Sequence, residues 1–310
     1  MPQRRPPFYV GAHIPQRKML VETMDALRAV GGSVLQLFVA NPRSGKITSA
    51  GRARYIAEAP TVREYCAAHG FKLVVHSSYP LNFARNAPRS GGPAYWIETV
   101  LEELSIAEAL GAIGVVIHAG RWAAARPATE AVGTENMRTA VLEVLRRMPS
   151  GTAGAAAPRL ILETSAGAGT ELFSSVESLL SFYTELRASA GARAGRLGLC
   201  MDTAHVHAAG ALPSQALRTM MDRAGPGGVA LVHLNNTPVP FGGRVDRHAA
   251  LLDPKGAIAL SELRAVVRLA RGAGVPIVME THGTYDAEVP WTRAVRGAAR
   301  GAARSGGPSA

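Results

Sequence analysis

Residues 196–210 read RLGLCMDTAHVHAAG. A short apolar run ends at an acid, Asp202, and a histidine, His205, follows three residues on. A continuous apolar run closed by a polar residue is how a parallel strand covered on both faces reads. The same grammar recurs in VVHSSY (His76), VVIHAG (His118), LILETS (Glu163), LVHLNN (His233) and VMETH (Glu280). One more motif, RVDRH, brings Asp246 and His248. His76, His118, Glu163, Asp202, His205, His233, Asp246, His248 and Glu280 are therefore nine candidate metal ligands, all expected at strand ends. Imidazole and carboxylate suit zinc, manganese and iron, and so many together point to one multinuclear site.

Working outward, strands are expected at 8–14, 34–40, 72–77, 114–119, 159–164, 197–203, 229–235 and 276–281. Helical patterns fill the gaps at about 18–30, 51–69, 94–110, 134–148, 173–189, 213–224 and 258–273. Gly70, Gly111 and Gly274 stand where helices should be capped. Strands alternating with helices predict an α/β fold, a (β/α)8 TIM barrel, whose active site is built at the C-terminal ends of the strands. The ligand candidates occupy those ends on strands three to eight. Gly/Ala-rich stretches at 123–133 and 150–157 read as loop insertions, and no internal repeat is present.

The spacings fit a shared centre. Asp202 and His205 can face one ion from a strand and the turn after it. Asp246 and His248 flank Arg247, so an extended loop puts both on one face. Glu163 and Glu280 end different strands and can meet only across a barrel mouth. Glu163, with two oxygens, can serve two ions. His13 ends the first strand, so it should face the mouth and reach phosphate or a ligand carboxylate. His207 and His282 lie beside ligand candidates, whereas His69 sits at a helix C-terminus where a cation is favoured.

Composition sets the partner class. The chain has 310 residues, 47% of them apolar, enough for one large core. Lys and Arg outnumber acids 34 to 23, a net charge of +11, which suits a polyanion such as nucleic acid. Two cysteines, Cys66 and Cys200, form no disulfide framework, and a reducing, intracellular setting is expected. The N-terminal MPQRRPPFYV lacks a long apolar run, so no signal peptide is expected. No stretch reaches the ~20 apolar residues of a membrane span. The expected organisation is a basic disordered tail at 1–7, a barrel at 8–296 and a Gly/Ala/Arg-rich disordered tail at 297–310.

From GAH at Gly11–His13 to METH at Met279–His282, the chain resembles endonuclease IV, the zinc-dependent apurinic/apyrimidinic endonucleases. The resemblance is carried by HSSYPLNFA, ETSAGAGTELF, MDTAHVHAAG, HLNNTPVPFGGRVDRH and METH. It implies about three zinc ions per chain, with manganese as a possible substitute. By resemblance His76, His118 and Glu163 hold the first. Glu163 bridges to the second, which takes Asp202, His233 and Glu280. His205, Asp246 and His248 hold the third. Glu163 and Glu280 are the implied catalytic carboxylates, the latter also as a proton acceptor.

The implied reaction is hydrolysis of the phosphodiester 5′ to an abasic site, leaving a 3′-hydroxyl and a 5′-deoxyribose phosphate, with trimming of blocked 3′ ends. The implied partner is double-stranded DNA carrying such lesions. A monomer without membrane attachment is expected. Arg43 and Tyr79 are the implied DNA-intruding residues. Pro80 stands where the family usually has Leu, Asn236 and Pro238 replace Asp and a basic residue, and Asp253–Gly256 replaces a Gly-Glu-Gly loop. These departures fall on segments expected to touch substrate.

Two other readings compete. A metal-dependent sugar isomerase or epimerase on the same barrel would use Glu163, Asp202, His233 and Glu280 alone. It would leave the remaining ligands idle. A noncatalytic DNA-damage binder would keep metals only for folding. Metal content and nicking of an abasic duplex separate the three.

Overall fold

The computed structural model describes residues 7–88, 94–151, 157–281 and 283–296. Eight parallel strands pair in chain order into a closed barrel: β1 Val10–His13, β2 Val34–Leu37, β3 Lys72–His76, β4 Gly114–Ile117, β5 Arg159–Glu163, β6 Leu197–Asp202, β7 Val229–His233 and β8 Ile277–Met279. Closure comes from β8 beside β1, with Ala12 opposite Met279. Helices fill every crossover: α1 Leu20–Ala29, α2 Ser49–His69, α3 Tyr95–Leu110, α4 Glu130–Arg147, α5 Val176–Ser189, α6 Thr203–Ala208, α7 Pro213–Ala224, α8 Leu260–Ala273 and α9 Tyr285–Ala294. The (β/α)8 barrel expected from sequence is the fold. Apart from residue 7, the expected tails lie outside the described residues. Among those described, no helix is long and apolar enough to cross a membrane.

The helices bury one stripe each. In α8, Leu263, Val266, Val267 and Ala270 recur at helical spacing and are buried against the barrel. Gly70, Gly111 and Gly274 adopt the left-handed conformation and cap their helices as predicted.

Three expectations need correction. First, α6 is absent from the sequence pattern, because it starts from a cap instead of an apolar stripe: the Asp202 side chain accepts the His205 N–H at 2.9 Å. Second, α9 escapes the pattern because Pro290 interrupts it. Third, the loop expected over 123–133 ends at Thr129. α4 begins at Glu130, with Thr129 capping the Val132 N–H. Gly133 packs against Trp122 so closely that a Cβ there would overlap it, so small residues mark helix packing here. The second insertion, at 150–157, lies largely outside the described residues.

The barrel interior is layered. Val34, Val74, Val116, Ile161, Cys200, Leu231 and Val278 form a fully buried apolar plug, one residue from each of β2 to β8. Side chains alternate along a strand, so the next inward layer lies two residues further on. Its members are Gln36, His76, His118, Glu163, Asp202, His233 and Glu280, with His13 from β1. The plug excludes water from below, and the polar layer floors the C-terminal mouth.

Candidate metal centre

The polar layer, His205 of α6 and two loop residues form overlapping groups, three of which take in the ligand candidates and are each compact enough to hold a cation. His76, His118 and Glu163 make the first, and Glu163, Asp202, His233 and Glu280 the second. The third contains Asp202, His205 and His248, with Asp246 beside it. Asp246 and His248 depart from the sequence expectation. They end no strand and come from the loop between β7 and α8, which folds back over the mouth.

Glu163 joins the first two groups. Its Oε1 lies 2.6 Å from His233 Nδ1, and its Oε2 lies 3.0 Å from His118 Nε2 and 3.4 Å from His76 Nε2. Asp202 joins the second and third. Its Oδ2 lies 3.9 Å from His233 Nδ1 and 3.5 Å from His248 Nε2. Asp246 Oδ1 stands 3.1 Å from His205 Nε2 and 3.6 Å from His248 Nε2. Glu280 Oε2 stands 3.3 Å from His233 Nδ1.

The donor set fits divalent ions on two counts. Glu163 Oε2 and His248 Nε2 are buried and make no hydrogen bond, although each has neighbours at 3.0–3.6 Å. Orphaned buried polar atoms are rare and require a partner. Lone pairs that converge without hydrogen-bond geometry leave room for a cation between them. The outer bonds, moreover, fix the histidines. His76 Nδ1 faces the Ser77 carbonyl at 2.8 Å, and His205 Nδ1 faces the Thr164 carbonyl at 2.9 Å. A carbonyl only accepts, so both Nδ1 atoms carry the proton and both Nε2 atoms are turned toward carboxylates of the centre, His76 toward Glu163 and His205 toward Asp246.

Electrostatics agree. Burial disfavours the charge of Glu163, yet His233 and His118 overcome it and hold the carboxyl well below its usual range. Desolvation also opposes the charge of the half-buried Glu280, yet His233 draws it down to about 2. Burial opposes charge on His205, but Asp202, Asp246 and Glu163 hold it well above the ordinary imidazole value.

Two residues that hold these ligands are missing from the sequence reading. Gln36 reaches both Glu280 and His233. Asn235 Nδ2 donates to Asp202 Oδ2 at 2.6 Å and Glu280 Oε2 at 3.1 Å, and its Oδ1 accepts the Glu280 N–H. A signal exists for Gln36, because it stands two residues beyond the plug residue Val34 as His76 stands beyond Val74. Asn235 follows His233 by two and continues the β7 alternation.

Above the centre is a cavity of about 470 Å³ lined by His13, Phe38, Tyr79, Arg247 and six of the ligand candidates, with Glu163, Asp202 and His233 lying beneath it. Tyr79 is 61% exposed at its edge and meets Phe38 edge-on at 5.4 Å. His13 packs its ring against Phe38 at 4.8 Å, at the mouth as expected. Arg43 is exposed on the β2–α2 loop. His69 packs on Tyr65, and His207 on Phe241. His282 lies outside the described residues. Asn236, expected on a substrate-touching segment, is instead buried, and its side chain bonds the loop at Leu251 and Ile258.

A closed barrel with clustered acids and imidazoles at its C-terminal mouth defines a class, and residues 24–298 match the family model described as xylose isomerase-like TIM barrel. Within that class the chain belongs to the endonuclease IV family. It is 31% identical over 281 residues to the probable endonuclease 4 of Streptomyces coelicolor, covering 88% of this chain and 89% of that one. The crystal structure of endonuclease IV from Thermus thermophilus superposes with a TM-score of 0.67 at 25% identity, covering 93% of this chain and 97% of that one. A D-tagatose 3-epimerase-like protein shares the fold at 16% identity, with a TM-score of 0.62 and coverage of 89% and 91%.

Proposed function

We propose that this protein is a zinc-dependent DNA repair endonuclease that hydrolyses the phosphodiester 5′ to an abasic site, leaving a 3′-hydroxyl and a 5′-deoxyribose phosphate. The observation that carries this reading is the convergence of nine imidazole and carboxylate side chains in three groups that share Glu163 and Asp202. About three ions bound there would supply Lewis acidity and would lower the pKa of water toward neutrality. His76, His118 and Glu163 would hold the first, Glu163, Asp202, His233 and Glu280 the second, and His205, Asp246 and His248 the third. Manganese has the same ligand tastes and would be a workable substitute.

The chain's own residues supply the rest. Glu280 is ionised at the cavity edge and accepts the proton released as water attacks. Arg247 lines the same cavity and offers charge to phosphate. Tyr79 and Arg43 enter the duplex, and His13 contacts phosphate. An abasic nucleotide leaves the stack more easily than a paired one, which favours the lesion. A cavity open at the barrel mouth also admits a blocked 3′ end for trimming. The sugar isomerase reading uses only the second group and leaves five of the nine ligands without work.

The deciding experiment is nicking of a duplex with one abasic site, beside an intact duplex. Cleavage 5′ to the lesion, abolished by a chelator and restored by zinc, is the expected result. Binding without cleavage would support a noncatalytic damage binder. No action on DNA, with turnover of a ketose by a protein holding one or two exchangeable ions, would support the isomerase.

A further inference from the structure

Gln36 is the one member of the polar layer from β2 to β8 that is neither acid nor histidine, and it is fully buried. Its Nε2 stands 2.6 Å from Glu280 Oε1, and its Oε1 stands 2.8 Å from His233 Nε2. Chemistry dictates which way the amide faces. A carboxylate oxygen accepts, so the NH₂ points at Glu280. The amide oxygen must then face His233, and an oxygen there requires a proton on Nε2. His233 is left with Nδ1 turned toward Glu163 Oε1, 2.6 Å away.

We infer that Gln36 is a positioning residue that holds His233 in its Nε2–H form and clamps Glu280 beside it. The inference rests on the metal-centre reading above for its effect on metal affinity. Its hydrogen-bond geometry stands without a metal. A carboxylate at 36 would keep the acceptor for His233 but lose the donor to Glu280 and place two acids together. A leucine would fill similar volume and lose both bonds. The neutral amide does both tasks without changing the charge of the ligand set. Partners of this kind usually matter 10–100-fold for metal affinity.

The test uses the full chain and the variants Q36L and Q36E, with folding checked by circular dichroism. The first readout is the His233 Nε2–H proton by ¹⁵N-edited NMR in metal-free protein. It should be protected from exchange in the parent and in Q36E, and lost to fast exchange in Q36L. The second is competition for zinc with a calibrated chelator. Q36L should bind at least one zinc tenfold or more weakly, with Q36E also weakened through Glu280. An Nε2–H proton unchanged in Q36L overturns the inference. So does unchanged zinc competition in a Q36L protein that has lost the proton. A parent protein that shows the protected proton but takes up no zinc defeats the metal reading and leaves the hydrogen-bonded arrangement standing.

Discussion

The backbone N–H of Tyr79 donates to the carbonyl of Pro42 at 3.0 Å. This single bond ties the β3–α3 loop to the β2–α2 loop, the carrier of Arg43. The two residues expected to enter DNA therefore stand on linked supports. Tyr79 is also propped by Phe38, and its ring lies 5.9 Å from that of His118. In the proposed reading, this exposed aromatic above the polar centre is the one that stacks on the DNA.

Replacing Tyr79 by Ala should therefore lower the preference for abasic over intact duplex by tenfold or more. Aromatic–base stacking contributes about 1–3 kcal/mol, and about 1.4 kcal/mol is a factor of ten. Metal content should not change, since Tyr79 is in none of the ligand groups. The measurement is the ratio of cleavage rates on the two duplexes. An unchanged ratio would assign Tyr79 to loop packing.

Much of this architecture is legible in the sequence because the barrel repeats one local rule. Each strand is a short apolar run, and on β3 to β8 a ligand candidate falls where the run stops, so fold and site declare themselves together. What stays hidden depends on tertiary contacts. Asp246 and His248 look like strand-end residues, but only the fold of the β7–α8 loop brings them over the centre. Asn236 looks like a substrate contact because of its place after HLN, and only its partners reveal it as a buried clip. α9 is hidden by Pro290, and α6 by its dependence on one cap.

Glu163→Ala should be the most damaging single ligand change. Its two oxygens face different groups, with His233 on one side and His76 and His118 on the other. Removing the carboxylate strips charge from both groups at once and leaves neighbouring imidazoles uncompensated. Bound zinc, counted by mass spectrometry after dialysis, should fall by more than one equivalent, and nicking should fall below detection. Full metal content with near-normal nicking would show that the bridge assignment is wrong.

Glu103 gives a pH prediction independent of the centre. It is buried in α3, and the Ser78 hydroxyl lies 3.5 Å from its Oε1. Burial pushes its carboxyl up to about 8. The folded state thus holds this proton more tightly than the unfolded chain, whose ordinary glutamate titrates near 4.5. Stability from this group is complete below about 4.5 and declines as pH rises toward 8, by a few kcal/mol at most. Glu103→Gln cannot ionise and keeps the shape. Its melting temperature should match the parent near pH 5 and exceed it near pH 9. Parallel melting curves for both proteins across that range would contradict a buried, protonated Glu103.

Asn236 anchors the loop that carries Asp246 and His248. Its Nδ2 donates to the Leu251 and Ile258 carbonyls, and its Oδ1 accepts from the Thr237 and Ile258 N–H groups. The backbone of Asn236 also bridges to Ala249, one residue past His248. Gly256 lies so close to this carboxamide that any side chain at 256 would overlap it. From the other side, Glu288 of α9 accepts the Leu251 N–H at 2.7 Å. An aspartate at 236 could still accept, but it has no donors for the two carbonyls and would bury a charge. Each buried group left unsatisfied costs about 1–3 kcal/mol. Asn236→Asp should therefore lower stability by a few kcal/mol and raise hydrogen exchange across 249–258. With the loop loosened, the group of Asp202, His205, Asp246 and His248 should lose its ion first, while the groups around Glu163 keep theirs. Zinc content would drop by about one equivalent and return at high zinc, with nicking following it. Unchanged loop protection and full zinc in Asn236→Asp would mean that Glu288 and the Ala249 bridge hold the loop without help from the carboxamide.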